Sequence, residues 1–325
     1  MSLHSDPSYE AVLQTNDDAT VSRQSAVQLG YLQDPFVHFF VKRPTRRMPI
    51  INRGSYLRSM ALDRMVKKFL AMPLPDKQIV SLGAGFDTRY FMIKSGQMAL
   101  GPGHGFRHYF EVDLPENALK KARILKQRKE LQTLLGEGVT LAAGGAELSS
   151  NDYHLIGTDL RDWPRTVQRL QHYGLDVTAP TLFLSECVFI YLPPEITTGI
   201  LQWITTSMTH VAFALYEQIL PNDSFGRMMI RNLLARHIDL KGIQAYPQLE
   251  DQEQRFLKLG WTGAKAVDMN AVHDQWLDEN DKQRINRLEI LDELEEWKLI
   301  SSHYCVAYAY KSVEEGFAAL SVQEL

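Results

Sequence analysis

Three acidic residues stand where apolar, β-branched runs of this chain give out: Asp113 after His108–Val112, Asp159 after His154–Thr158, and Glu186 within Thr181–Cys187. If those runs are parallel strands, the acids lie where open α/β sheets bind ligands, outside the strands' carboxyl ends. At the second strand an acid can accept the ribose hydroxyls of an adenosine. Alternation sends Glu111 and Asp113 to the same side, so only its terminal position favours Asp113. At the third strand the Asp159 carboxylate and the Leu160 N–H can bracket an adenine amino group and ring, while Glu186 faces the reacting end. Each acid taken singly fits a helix N-cap or a solvated loop equally well. Asp162, just before a helix, makes that reading simplest for Asp159.

The stretch Gln78–Arg89, QIVSLGAGFDTR, supplies the other half of such a site. Ile79-Val80 runs into Gly83-Ala84-Gly85, with a helix start expected at Asp87-Thr88. Gly83 and Gly85 let a ligand approach bare backbone and permit φ > 0. The third small residue of a dinucleotide turn is missing, because Thr88 stands in its place. No Lys-Ser/Thr pair completes a phosphate loop either. A dehydrogenase and an NTPase are therefore disfavoured, and a two-glycine turn of the kind that holds S-adenosylmethionine remains. Upstream, Arg58 follows Gly54 by about one helical turn, in an arm able to fold over the site. Its guanidinium suits a carboxylate, whether of the donor's methionine or of an acidic substrate. Arg23 lies on another helix of that arm, and its simpler reading is a solvated surface arginine. Tyr191, just past Glu186, either lines the transfer pocket or packs in the core. His237, His273, His303 and the five tryptophans read as structural, and Asp292–Glu296 as a solvated helix face.

The elements that must position these residues alternate. Strands are expected at 79–82, 108–112, 154–158, 181–187 and 211–216, and helices at 87–95, 115–135, 163–173, 194–207 and 224–237. That order implies a mostly parallel, doubly wound α/β sheet. Late strands at 262–267 and 303–310, with helices at 269–277 and 282–297, close it antiparallel. Residues 1–20 are polar without periodicity and are expected to be mobile, while 20–30 and 58–70 carry helical spacing. Residues 136–152 read as an inserted loop. The domain reading is a helical arm or lid over 1–75, a catalytic domain over 76–311 and a tail over 312–325.

Composition narrows the class. The chain has 325 residues, 45% of them hydrophobic, with net charge -4. No long basic block suggests nucleic acid. No apolar run nears the roughly 18 residues of a membrane span. Only Cys187 and Cys305 are cysteines, and no Cys/His spacing suits a metal. A cytoplasmic monomer without metal is expected.

Through AVQLGYLQDPF, PIINRGSYLR, VSLGAGFDTR, YFEVDLP, GTDLRD, SECVFIYL, NDSFGRMM, EILDELEEW and SHYC, the chain resembles the leucine carboxyl methyltransferases from about Asp18 to Lys311. The resemblance implies a class I S-adenosylmethionine-dependent methyltransferase fold, with a seven-stranded sheet and an N-terminal helical lid. It implies S-adenosyl-L-methionine as cofactor and the C-terminal leucine of the protein phosphatase 2A catalytic subunit as acceptor. Arg58, Gly83, Asp113, Asp159, Leu160 and Glu186 match the family's cofactor-contacting positions. Arg23 falls where some members carry lysine, which keeps the charge but changes reach. The segment MALGPGHG and the tail after Lys311 are this sequence's own.

A C-terminal carboxylate, with a pKa of about 3.5, is already anionic at neutral pH and needs no base. The protein's task is then to position it, with Arg58 orienting, and to exclude water. Two other readings stand beside this one. An O-methyltransferase for a small hydroxylated or carboxylated metabolite would, for a hydroxyl, normally need a base, and no His stands out at a strand end. A binding protein that kept the fold but lost the cofactor is opposed by intact Gly83, Gly85, Asp113 and Asp159.

Overall fold

Five buried strands run parallel through the centre of the molecule. The structure is a computed structural model that describes residues 7–100, 105–312 and Phe317. Residues 1–6, part of the MALGPGHG segment and nearly all of the tail lie outside the described residues. The central strands are β1 (Gln78–Leu82), β2 (His108–Asp113), β5 (Tyr153–Gly157), β6 (Thr181–Glu186) and β7 (Val211–Gln218). Each lies within two residues of its expected bounds. With β3 (Thr140–Ala142), β4 (Glu147–Ser149), β8 (Gly263–Asp268) and β9 (Tyr304–Lys311), the sheet order is β3-β4-β5-β2-β1-β6-β7-β9-β8. The sheet has nine strands where seven were expected. The two extra ones fold the 136–152 segment into an antiparallel hairpin against β5, in the register Leu148↔Leu155. At the other edge β9 runs antiparallel between β7 and β8.

Strand alternation explains how both faces are covered. Ile79, Tyr109, Leu155 and Leu182 belong to one apolar layer, and Val80, Phe110, Ile156 and Phe183 to another. The helices α1 (Pro7–Gln28), α2 (Pro49–Ala71), α3 (Arg89–Lys94), α4 (Pro115–Gln127) and α5 (Lys129–Leu135) precede β3. After β5 come α6 (Trp163–His172), α7 (Pro194–Ser207), α8 (Ser224–Leu234), α9 (Leu249–Leu257), a single turn α10 (Met269–Ala271), α11 (Glu279–Leu288) and α12 (Leu294–Ser302). Pro49 opens α2, where a missing N–H costs nothing. Asp162 caps α6 by accepting from the Arg165 N–H, so Asp159 is left out of that cap.

Several boundaries differ from expectation. Arg128, in extended backbone, divides the single helix expected over 115–135. The helix expected over 282–297 is likewise two, and most of 269–277 is a π-turn at Val272–Trp276. The largest correction is the first half of α1, residues 7–19, which were expected to be mobile. Polar contacts help hold that half, which is why no apolar period marks it. Tyr9 Oη donates to Glu116 at 2.7 Å, and Asn16 Oδ1 accepts the Phe86 N–H at 2.9 Å.

Candidate active site

The chain reverses its direction of sheet growth between β1 and β6, and a cavity of about 520 Å³ opens at their carboxyl ends. Its lining includes Arg23, Arg58, Gly83, Gly85, Asp113, Asp159, Leu160, Glu186 and Tyr191, so the candidate site residues read from sequence meet at one hollow.

The glycine turn is bare because its neighbours leave no space. Gly83 (φ +63) and Gly85 (φ +52) adopt left-handed backbone; a Cβ on either would lie 2.4 Å from Val188 or Asn16 respectively. Asn16 reaches down from α1 and its Oδ1 accepts the Phe86 N–H at 2.9 Å. The arm and the turn are thereby joined.

Asp113 and Glu111 separate clearly. Asp113 accepts the Gly85 N–H at 2.6 Å, the Leu114 N–H at 2.8 Å and Asn117 Nδ2 at 3.1 Å. A carboxylate has about four acceptor directions, so one remains for a ligand hydroxyl where two were expected. The Oδ1 of Asn117 beside it is buried without a partner. Burial raises the Asp113 pKa, against the opposing effect of those bonds. Glu111 turns into the protein, paired with Lys121 and accepting Tyr153 Oη at 2.7 Å. Asp159 lines the cavity with Arg161 on its carboxylate, Nε to Oδ2 at 2.8 Å.

Arginines converge at the other end. Arg58 Nε donates to Glu186, and its guanidinium lies 5.2 Å from the Tyr216 ring centroid. Arg89 Nη1 donates to Glu186 at 3.0 Å and to Asp87 at 2.7 Å, while its Nε donates to Asp63 at 2.6 Å. Burial pushes the Glu186 pKa upward, but Arg58 and then Arg89 outweigh it and hold the carboxyl at about 2. Arg23 is not on a solvated face. It donates to Asp34 at 2.8 Å and to Ser59 Oγ at 2.9 Å, and Asp34 also accepts Thr88 Oγ1 at 2.6 Å. Asp34 thus ties α1 to Thr88 just past the glycine turn, and Arg23 ties α1 to α2. Tyr191 faces the cavity beside Cys187; burial raises both pKa values, that of Cys187 to about 12. Tyr304 stacks on Tyr216 with centroids 5.5 Å apart, and its pKa is pushed to about 12 by burial.

Sequence reading missed Asn16, Asp34, Arg89, Tyr216 and Tyr304. Arg89 was the discoverable one, since it closes the same GFDTR run as the glycines. The others come together only through the fold. Among the described residues no histidine lines the cavity, and no metal-binding group of His, Cys, Asp or Glu occurs. The arrangement offers a bare backbone, hydrogen-bond acceptors and cations, and among the described residues no strong base.

A family model described as leucine carboxyl methyltransferase matches residues 5–205. The chain is 42% identical over 300 residues to the leucine carboxyl methyltransferase 1 homolog of Arabidopsis thaliana, covering 92% of this chain and 89% of that protein. It is 36% identical to leucine carboxyl methyltransferase 1 of Bos taurus, covering 94% and 91%. It also matches tRNA wybutosine-synthesizing protein 4 of Homo sapiens at 37% identity, over 92% of this chain but only 44% of that longer protein. Among solved structures, a protein described as a methyltransferase from Thermobifida fusca YX superposes with a TM-score of 0.53 at 14% identity, covering 82% of this chain and 84% of the other. That likeness concerns the fold.

Proposed function

The chain belongs to the leucine carboxyl methyltransferase family, and from that premise we propose that it methylates the C-terminal leucine α-carboxylate of the protein phosphatase 2A catalytic subunit, using S-adenosyl-L-methionine. The product is a methyl ester. The observation that carries this reading is that no strong base lies at the reacting end among the described residues. Glu186 is held at about 2, and the Cys187, Tyr191 and Tyr304 pKa values are all raised. Among the described residues, a hydroxyl acceptor would find no group suited to take its proton. A carboxylate acceptor needs nothing of the kind.

The residues present fit the cofactor. The bare turn at Gly83 and Gly85 gives its backbone room, the open direction on Asp113 and the unpartnered Asn117 Oδ1 suit two vicinal hydroxyls, and Asp159 with the Leu160 N–H suits an adenine edge. Arg23, Arg58 and Glu186 would hold the ammonium and carboxylate of its methionine part. When bound, its sulfonium supplies the methyl group, and the broken C–S bond's electron pair stays with sulfur. Arg58 keeps two terminal nitrogens clear of the Glu186 contact and orients the acceptor carboxylate. Sharing that cation with Glu186 weakens its grip on the nucleophile, so orientation does not come at the cost of reactivity. Helix α1 and Tyr191 keep water from the reacting oxygen. Both cysteines are free thiols, which suits a reducing cytoplasm, and we take the chain to act as a monomer.

The test is methyl transfer to a peptide ending in leucine, as free acid and as amide. The free acid is expected to gain a label that mild alkali releases as methanol, and the amide none. Equal transfer to both would refute the proposal.

A further inference from the structure

The cavity lining includes a set of apolar residues, Tyr191, Leu233, Ile238, Trp297 and Ile300, and two exposed cations, Arg236 and Lys241. Arg236 has a counter-ion, since it donates to Asp18 at 2.6 Å. Lys241 forms no ion pair or hydrogen bond with the described residues. Its backbone is nevertheless fixed. The next residue, Gly242, donates its N–H to the Ile190 carbonyl at 2.9 Å, and a Cβ there would come within 3.1 Å of the Phe189 carbonyl oxygen. Ile190, Ile238, Leu240 and Ile243 form a small buried cluster beneath the loop. A flexible surface loop would need none of this anchoring. Here the backbone that carries an ammonium is anchored to Ile190, next to Tyr191, in a lining where the Asp18 carboxylate is already engaged by Arg236.

We propose that Lys241 is a specificity-determining residue that reads an acidic side chain in the acceptor peptide, upstream of the carboxylate that is methylated. The inference rests on the proposed methylation of a protein C-terminus and adds to it a preference for acidic tails. An extended peptide advances about 3.3 Å per residue, so an anchored cation in the lining meets one particular position of the tail. The contact lies away from the reacting oxygen and therefore acts on binding.

The experiment uses the full chain and a set of peptides ending in free leucine, in which each preceding position carries Glu, Gln or Lys in turn. At one position the Glu peptide is expected to show a KM about two- to fivefold below the Gln peptide, with kcat unchanged, as an exposed charge pair provides. The advantage shrinks as salt is raised. Lys241→Met removes it, and Lys241→Glu transfers it to the Lys peptide, while both variants keep the wild-type melting temperature. Methylation of all peptides with one kcat/KM overturns the inference and leaves the proposed activity standing, as does a Lys241→Glu enzyme that still prefers Glu. Failure to methylate any free-acid peptide overturns both.

Discussion

Two glutamates near the ends of β2 and β6, the strands that flank β1, meet opposite fates. Glu186, at the tip of β6, keeps 22% of its side chain open to the cavity and sits between Arg58 and Arg89. Glu111, two residues before the end of β2, is fully buried beside Lys121 and Tyr153. Burial is the largest influence on both. Two guanidinium groups overcome it at Glu186 and hold that carboxyl at about 2; at Glu111 one ammonium does not, Asp87 adds to the effect, and the pKa rises to about 7. The number of cations around a buried acid, and whether a ligand can reach it, separates a binding group from a core group. Burial alone does not.

Arg89 gives the largest test of that contrast. Its guanidinium joins Asp63 of α2, Asp87 of the turn and Glu186 of β6. Arg89→Ala leaves three carboxylates short of their shared cation, and breaking such a buried cluster costs about 3–5 kcal/mol. Lys121→Met is expected to cost clearly less below pH 7, because Glu111 can remain neutral there. Urea unfolding at pH 6 measures both. Equal losses would erase the distinction between the two acids.

Arg58→Ala should act on turnover more than on folding, since Glu186 keeps Arg89. Loss of an orienting group lowers kcat/KM about 100-fold, or about 2.7 kcal/mol in the barrier. Methyl-transfer assays beside a thermal melt separate the two effects. A melting-temperature drop matching that of Arg89→Ala would move Arg58 into the structural group.

The parallel sheet was legible because each central strand is a short β-branched or aromatic run ended by an acid or a glycine. The β3–β4 hairpin was not, because strands of three residues, one of them wholly exposed, carry no readable period. The first half of α1 failed to register for a related reason. Over residues 7–19 only Leu13 is buried, so no apolar stripe marks that stretch. Arg23 looked solvated because its partner Asp34 lies beyond the end of its own helix. Asp113 and Glu111 were indistinguishable by alternation, and only the chain following β2 separates them. Asp113 is tied down by Leu114 and Asn117, while Glu111 meets Lys121 further along α4. Local pattern gave the strand ends, and which acids face the ligand was decided by helices that pack later.

The last test uses pH, and the two glutamates should act in different windows. A carboxyl whose pKa rises on folding binds its proton more tightly in the native state, so stability falls as pH climbs from the unfolded value, about 4.3, to the native one. For Glu111 that window ends at about 7. A carboxyl whose pKa falls on folding does the reverse. Glu186 contributes stability above about pH 4.3 and loses it as pH drops toward about 2. Glu111→Gln should therefore flatten the stability profile between pH 4.5 and 7, by about 3 kcal/mol over that range, and leave the acid limb unchanged. Glu186→Gln should flatten the acid limb alone. Chemical denaturation across pH 3–8 resolves the two limbs. Because the effects do not overlap, one variant that altered both would mean the acids titrate as a single network through Asp87, which lies between Arg89 and Glu111.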